Sequence, residues 1–168
     1  MIFIGFDNGT SSNGIGVITT DRRATLLKLP VRKQLSYTKE AKGITRVDYP
    51  KLLELLKTIQ AENRGEKLLA GLERPMVNST RFNASLSAIR CLESTLIALE
   101  ACQISYEYID SKEWQKVLLP KGIKGSDELK KASFDIGTRM FPDLAIKKDA
   151  DGLLIAEYLR RREANQLT

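Results

Sequence analysis

The sequence predicts an α/β fold in which helices flank a mixed five-stranded sheet. Short apolar segments near the N-terminus are separated by Gly- and Asn-rich turns, a pattern typical of an antiparallel meander. Two later apolar strands alternate with amphipathic segments, which is typical of parallel strands joined by helices. The chain has 168 residues and 42% hydrophobic content, so we expect one domain with one core over residues 1–168.

The first three strands are predicted at residues 1–8, 14–20 and 24–31. The turn NGTSSNG separates the first two, because Asn and Gly tolerate positive φ angles. Residues 32–47 are polar and basic, and we expect a loop there.

The rest of the chain alternates helices and strands. Asp48 is placed to cap a helix with Pro50 in its first turn, and Gly65 is placed to end it. The later elements are a strand at 67–73, a helix at 83–102, a strand at 104–109, and helices at 127–140 and 150–164. This order, three strands followed by alternating helices and strands, is that of the ribonuclease H-like architecture.

The helix at 83–102 carries a stripe of small residues at alternating spacings of four and three. Small side chains let another backbone approach closely. Packing onto the chain's own sheet is the more economical interpretation, but the stripe and its neighbouring leucines are wide enough for a partner helix as well. We therefore expect the stripe at or near a dimer interface. Its members are Ala84, Ala88, Cys91, Thr95, Ala98 and Cys102.

The formal net charge is +6, and the basic residues are clustered. Residues 22–46 hold eight Lys or Arg and one Glu, Arg160–Arg162 are consecutive, and six lysines lie between Lys112 and Lys131. Clusters of this kind are typical of proteins that bind a nucleic-acid backbone.

Several classes of protein are excluded by composition. The chain has no His and two Cys, so zinc sites and Ser-His or Cys-His catalysis are excluded. Cys91 and Cys102 would lie roughly 16 Å apart along one helix, too far for a disulfide, which favours reduced thiols and a cytoplasmic protein. We expect no signal peptide and no membrane span.

Four carboxylates stand at the ends of predicted elements. Asp7 ends the first strand, Glu73 ends the strand LLAGLE, and Asp149 and Asp151 open the last helix. Charged residues are rare in buried strands unless they are paired or bind metal. Oxygen ligands from two strands and a helix end suit a hard cation such as Mg²⁺.

The roles of the last two acids stay open. One acid at a helix start is most often a cap, so Asp149 could cap the helix while Asp151 binds metal. Two acids at this spacing exceed what capping needs, and we favour a ligand role for both.

These motifs resemble the RuvC-type Holliday-junction resolvases, of the divergent kind found in phages and bacteria. The resemblance rests on the Asp in IGFDNG, the Glu in GLERPM, the motif DGLLIA and the stretch KKASFDIGTRMFP. The family carries an Asp or His three residues before its last Asp. Here that position is Lys148, and Asp149 follows it.

The resemblance implies a homodimer in which each active site nicks one of two opposed strands of a four-way DNA junction. It implies a site for two Mg²⁺ ions, with Mn²⁺ as a substitute, and an active-site lysine at Lys130. We expect Asp7, Glu73, Asp149 and Asp151 as metal ligands. We expect DNA contacts from Arg74, Met76, Lys116, Lys121 and Lys124, with Met76 at the position of the family's apolar wedge and Trp114 as a packing residue.

Three alternatives remain at this point. Another ribonuclease H-like nuclease could cut RNA in hybrids or a different branched DNA, because fold and metal site are shared. The DNGTSS turn also resembles that of ATP-binding kinase and actin-like domains, which require a second domain. A non-catalytic junction-binding protein is the third, and Lys148 is its best support.

Overall fold

The computed structural model describes residues 1–10, 14–36 and 43–166, and the expected five-stranded sheet is present among them. The middle of the NGTSSNG turn and residues 37–42 of the expected loop lie outside these ranges. The sheet has the order β3-β2-β1-β6-β7, in which β1 pairs antiparallel with β2 and parallel with β6. Its strands are β1 (Ile2–Phe6), β2 (Ile15–Thr19), β3 (Ala24–Leu27), β6 (Leu68–Glu73) and β7 (Ser105–Ile109).

The expected loop at 32–47 is wrong, because its two ends form a hairpin. Strand β4 (Val31–Gln34) pairs antiparallel with β5 (Ile44–Val47) as a separate two-stranded sheet. Most β4 side chains are exposed, so the strand lacks the buried alternating positions that identify a strand in sequence.

The expected helices are confirmed, and the described residues contain one further α-helix and a short 3-10 helix at Ser79–Arg81. The α-helices are α1 (Tyr49–Glu62), α2 (Phe82–Ala101), α3 (Ser111–Leu118), α4 (Ser126–Met140) and α5 (Asp151–Glu163), of which α3 was not predicted. Asp48 occupies the N-cap position of α1 as expected, although its carboxylate pairs with Lys51. Trp114 and Leu118 of α3 are buried, so Trp114 is the packing residue that the sequence suggested.

Helices cover both faces of the sheet. Helices α1 and α2 pack on one face, and α3, α4 and α5 pack on the other. Helix α5 lies against β1 and β2 at close range, because glycines face each other there. A Cβ atom added to Gly5 would lie 2.1 Å from the carbonyl oxygen of Gly152, and one added to Gly16 would lie 2.4 Å from the Cα of Leu153.

The small-residue stripe of α2 faces the chain's own core from Cys91 onward, whereas Ala84 at its N-terminal end is exposed. Cys91, Thr95 and Ala98 are almost fully buried, and Ala98 is 0% exposed. The economical interpretation is therefore right, and the expected placement of Ala98 at a dimer interface is wrong. Its side chain has no access to a partner, so Ala98→Arg would test folding rather than assembly.

The sequence also led to expectations about the two cysteines and about membrane-spanning helices. Cys91 and Cys102 are free thiols, as predicted. Among the described residues, we find no helix with the length and apolar character that crossing a bilayer requires.

Candidate metal centre

The site lies at the edge of the sheet where the parallel strands end. Asp7 directly follows β1, and it lies two residues after Gly5, which faces α5. Since side chains of an extended chain alternate between faces, Asp7 is directed to the same side as Gly5. The close approach of α5 at Gly5 brings the first turn of that helix to Asp7.

Three of the four predicted carboxylates form a cluster. One carboxylate oxygen from each of Asp7, Asp149 and Asp151 lies within 4.8 Å of the other two. Asp149 is 2% exposed, so it is a buried acid beside two others. Repulsion among them makes such a group costly unless a cation or protons compensate.

The start of α5 places both of its acids in the cluster. Ala150 occupies the N-cap position, and its backbone N–H donates to Oγ of Ser133 at 3.1 Å. Asp149 therefore precedes the cap residue, which disfavours the capping role that the sequence left open. Ser133 also hydrogen-bonds Asp151, so one serine of α4 holds this turn at two points.

Glu73 ends β6 beside this cluster, and its negative charge raises the pKa of Asp151. Nε1 of Trp114 donates to Oε1 of Glu73 at 3.0 Å, and Ser111 forms a second side-chain hydrogen bond with this carboxylate. Nδ2 of Asn8 donates to the backbone oxygen of Glu73 at 2.6 Å and so ties the ends of β1 and β6 together. Burial raises the pKa of Glu73, and the two side-chain hydrogen bonds oppose that rise.

Burial raises the pKa of Asp151 to about 6, from an ordinary value of 3.8. The hydrogen bond from Ser133 lowers it, the charges of Asp149 and Glu73 raise it further, and the Lys130 charge lowers it. A carboxylate whose charge is disfavoured by burial and by like charges gains most from a bound cation.

This pKa predicts how stability of the metal-free protein depends on pH. Protonated Asp151 favours the folded state, so its contribution is complete below about pH 4 and is lost as the pH rises through about 6. In EDTA, Asp151→Asn should therefore be more stable than wild type at pH 7.5, by up to about 3 kcal/mol, and this advantage should vanish near pH 4.

Thermal unfolding of both proteins between pH 4 and pH 8 measures this difference. Adding Mg²⁺ at pH 7.5 should raise the melting temperature of wild type more than that of Asp151→Asn, because a ligand that binds the folded state stabilises it. A difference between the two proteins that does not change with pH would contradict the prediction.

Asp149 can be tested separately from folding. Asp149→Asn keeps the shape of the side chain and removes one of the charges that act on Asp151. We expect the variant to melt no lower than wild type in EDTA and to lose most of the Mg²⁺-induced rise in melting temperature. An undiminished Mg²⁺ response would show that Asp149 is outside the ligand set.

The basic residues that the sequence indicated for DNA binding include one group that is exposed and a second, at the end of α5, that forms ion pairs within the protein. Lys130 is exposed on α4 near Asp151, and Lys116, Lys121 and Lys124 are exposed around α3 and the segment after it. Arg74 and Met76 follow Glu73, and 79% of Met76 is exposed. All of these side chains are therefore accessible from solvent, and among them the charge of Lys130 acts on Asp151.

The arginine run at the end of α5 forms ion pairs within the protein. Arg160 and Arg161 both pair with buried Glu157, and Arg162 pairs with Glu107 of β7. Arg160 is only 9% exposed. These ion pairs within the protein account for the positions of the three side chains, and the interpretation of this run as part of a nucleic-acid surface stays a prediction.

Sequence reasoning missed Asn8, Ser111 and Ser133 around the carboxylates, and it predicted Trp114 as a packing residue without its hydrogen bond to Glu73. Each contacts the site from another element, and the hydrogen-bonded pairs Asn8–Glu73, Trp114–Glu73 and Ser133–Ala150 are 65, 41 and 17 residues apart in the sequence. The N-terminal position of Ser111 in an unrecognised helix was the one available signal.

The donor set fits a hard divalent cation. Carboxylate oxygens from the end of β1 and the start of α5 converge, and Glu73 at the end of β6 is close enough for its charge to act on Asp151. The sequence has no His, so nitrogen ligation by imidazole is not available. Carboxylate oxygens suit Mg²⁺ and Mn²⁺, whereas zinc and copper are more often bound by imidazole nitrogen or by sulfur.

Comparison with known proteins identifies solved structures with a similar fold. No protein-family model and no curated protein matches the chain. The structure of Thermus thermophilus RuvC in complex with a Holliday junction substrate matches with a TM-score of 0.62 at 13% identity, over 99% of this chain and 97% of that chain. A second Thermus thermophilus RuvC structure matches with a TM-score of 0.62 at 14% identity, over 99% and 98% of the two chains. The chain therefore has the RuvC-like, ribonuclease H-like fold that the sequence predicted.

Proposed function

We propose that this protein is a metal-dependent endonuclease that resolves four-way DNA junctions by paired, symmetric nicks. The observation that carries the proposal is the convergence of Asp7, Asp149 and Asp151, with Glu73 beside them, in a fold shared with RuvC. The similar RuvC structure holds a Holliday junction substrate, which supports this choice of substrate.

In this proposal, the four carboxylates would hold two divalent ions, either Mg²⁺ or Mn²⁺. A metal ion held there would supply Lewis acidity to activate water and to stabilise charge on the leaving oxygen. Trp114 and Ser111 orient Glu73 through hydrogen bonds, and Ser133 fixes the turn that carries Asp149 and Asp151.

Lys130 of α4 supplies positive charge near the carboxylates. Its ammonium group is exposed, and its charge acts on Asp151, so a phosphate bound at the carboxylates would lie within its field. A point charge on a flexible stem suits the negative charge that builds up on phosphate oxygens during cleavage.

Substrate choice is tested by competition binding in EDTA, where cleavage is absent. A labelled four-way junction should be displaced by unlabelled four-way DNA at far lower concentration than by three-way or linear DNA. The exposed lysines and Arg74 predict that log K falls with log salt by ~0.9 for each neutralised phosphate. Equal competition by linear DNA or by an RNA/DNA hybrid would favour another nuclease of this fold.

Paired nicks require two active sites, so we propose a homodimer, whose two-fold symmetry would match that of the junction. The exposed apolar residues of α2 are Phe82, Ile89 and Ile97, at 67%, 42% and 47% exposure, and they replace Ala98 as the proposed contact.

Ile97→Arg should convert the dimer to a folded monomer at micromolar concentration, because it places a charge in the proposed contact without touching the core. Light scattering gives the mass and circular dichroism the melting temperature. Leu35→Arg, at another exposed apolar residue, is the matched control and should stay dimeric. A monomeric wild type, or a dimeric Ile97→Arg, would overturn this assembly.

A further inference from the structure

A stacked arginine lies at the rim of the carboxylate site. Arg74 directly follows Glu73, and its backbone N–H donates to the carbonyl oxygen of Ile109 at 2.9 Å, so it sits between the carboxyl ends of β6 and β7. Its guanidinium carbon lies 5.2 Å from the centre of the Tyr108 ring, and Nε lies 3.5 Å from Oδ1 of Asp110. The side chain is still 57% exposed.

The aromatic support of Arg74 is itself anchored. The rings of Tyr108 and Tyr106 meet edge to face, with centroids 6.1 Å apart, and the hydroxyl of Tyr106 donates to Oε1 of Glu100 at 3.0 Å. An arginine that stacks on a ring keeps the N–H groups at its edge available for other partners. Tyr108 therefore fixes the guanidinium group without using its donors.

The acidic partner of Arg74 is held much less firmly. Asp110 stands at the N-cap position of α3, yet among the described residues its side chain makes no capping hydrogen bond. Its carboxylate instead faces Arg74, with 58% of the side chain exposed. An exposed ion pair of this kind contributes little and is screened by salt, whereas a phosphate can accept two parallel hydrogen bonds from a guanidinium group.

We propose that Arg74 exchanges Asp110 for a backbone phosphate when DNA binds, while Tyr108 keeps the guanidinium group in place. Asp110 is then a competitor for the phosphate, and Tyr108 is a positioning residue. The inference rests on the proposed function and adds to it an arginine that binds a phosphate beside the cleaved bond. Asp110 keeps Arg74 occupied when a nucleic acid places no phosphate at this position, and so weakens the binding of such nucleic acids.

The test measures affinity for a labelled four-way junction in EDTA by fluorescence anisotropy. Asp110→Asn should tighten binding about three- to tenfold, since it removes the competitor and retains a good N-cap residue. Tyr108→Leu should weaken binding several-fold, and Tyr108→Phe should restore wild-type affinity. Arg74→Gln should weaken binding and reduce the slope of log K against log salt by about 0.9.

A double variant separates this exchange from a general effect of charge. In the Arg74→Gln background, Asp110→Asn should no longer tighten binding, because the residue for which it competes is gone. Glu113→Gln, an exposed acid on the same helix, is the matched control and should change affinity equally in both backgrounds.

The outcomes distinguish the two proposals. Tightening by Asp110→Asn that persists with Arg74→Gln, or wild-type affinity in Tyr108→Leu, would overturn the exchange while the proposed function stands. Failure of wild-type protein to bind any branched DNA would overturn the proposed function and the exchange with it.

Discussion

Glu73→Gln should abolish cleavage of a four-way DNA junction while leaving affinity for the junction unchanged or higher. Gln retains the size of the side chain and an oxygen that can accept the hydrogen bond from Trp114. It loses the negative charge that a metal ligand of this site must carry, and the loss also reduces repulsion of the DNA phosphates. We expect the rate to fall by about 10³-fold or more, because such charge stabilisation contributes several kcal/mol.

Single-turnover cleavage and binding in EDTA, measured on the same preparation, separate the two effects. Asp7→Asn and Asp151→Asn should behave in the same way. Glu62→Gln, an exposed acid of α1, is the control for the loss of one negative charge and should cleave at the wild-type rate. Retained cleavage in Glu73→Gln would remove this residue from the proposed metal site.

Gly5→Ala should destabilise the protein by about 3 kcal/mol, which corresponds to a melting temperature lower by about 10 °C. The added Cβ would meet the carbonyl oxygen of Gly152 at 2.1 Å and the backbone nitrogen of Ala156 at 2.5 Å. Both are backbone atoms of α5, so no side chain can turn away and the helix itself must shift. Because Asp151 stands in the first turn of that helix, the shift would also move it away from Asp7.

The matched control for this substitution is Gly43→Ala. A Cβ at Gly43 would meet its nearest neighbour, the carbonyl oxygen of Gln34, at an ordinary 3.5 Å. Thermal unfolding in EDTA should show little change for this variant. A Gly5→Ala protein as stable as wild type would contradict the close approach of α5 that assembles the site.

Much of the fold could be predicted because its strands and long helices carry strong periodic signals. Buried runs such as IFIGF and LLAGLE predict strands directly, and the order of elements then limits the topology. Helix α3 was missed because it has only eight residues and is followed by a segment, residues 119–125, that holds two lysines and two glycines, although Trp114 and Leu118 share one face. The β4–β5 hairpin was missed because its first strand is mostly exposed.

The acidic residues of the candidate site could be predicted from the sequence, but the hydrogen bonds that hold them in place could not. A carboxylate at the end of a buried strand is a local signal, and Asp7 and Glu73 both give it. The hydrogen bonds of Trp114 to Glu73 and of Ser133 to the start of α5 depend on tertiary packing, which no local pattern records. The stripe around Ala98 illustrates the same limit, because small residues suit a sheet and a partner helix equally well.

The most direct test of the account is cleavage of end-labelled four-way, three-way and linear DNA by the wild-type protein, in Mg²⁺ and in EDTA. We predict paired nicks at symmetric positions in opposed strands of the four-way junction in Mg²⁺, little cleavage of linear DNA, and no cleavage in EDTA. Cleavage that persists in EDTA, or that is equally fast on linear DNA, would contradict a metal-dependent junction resolvase.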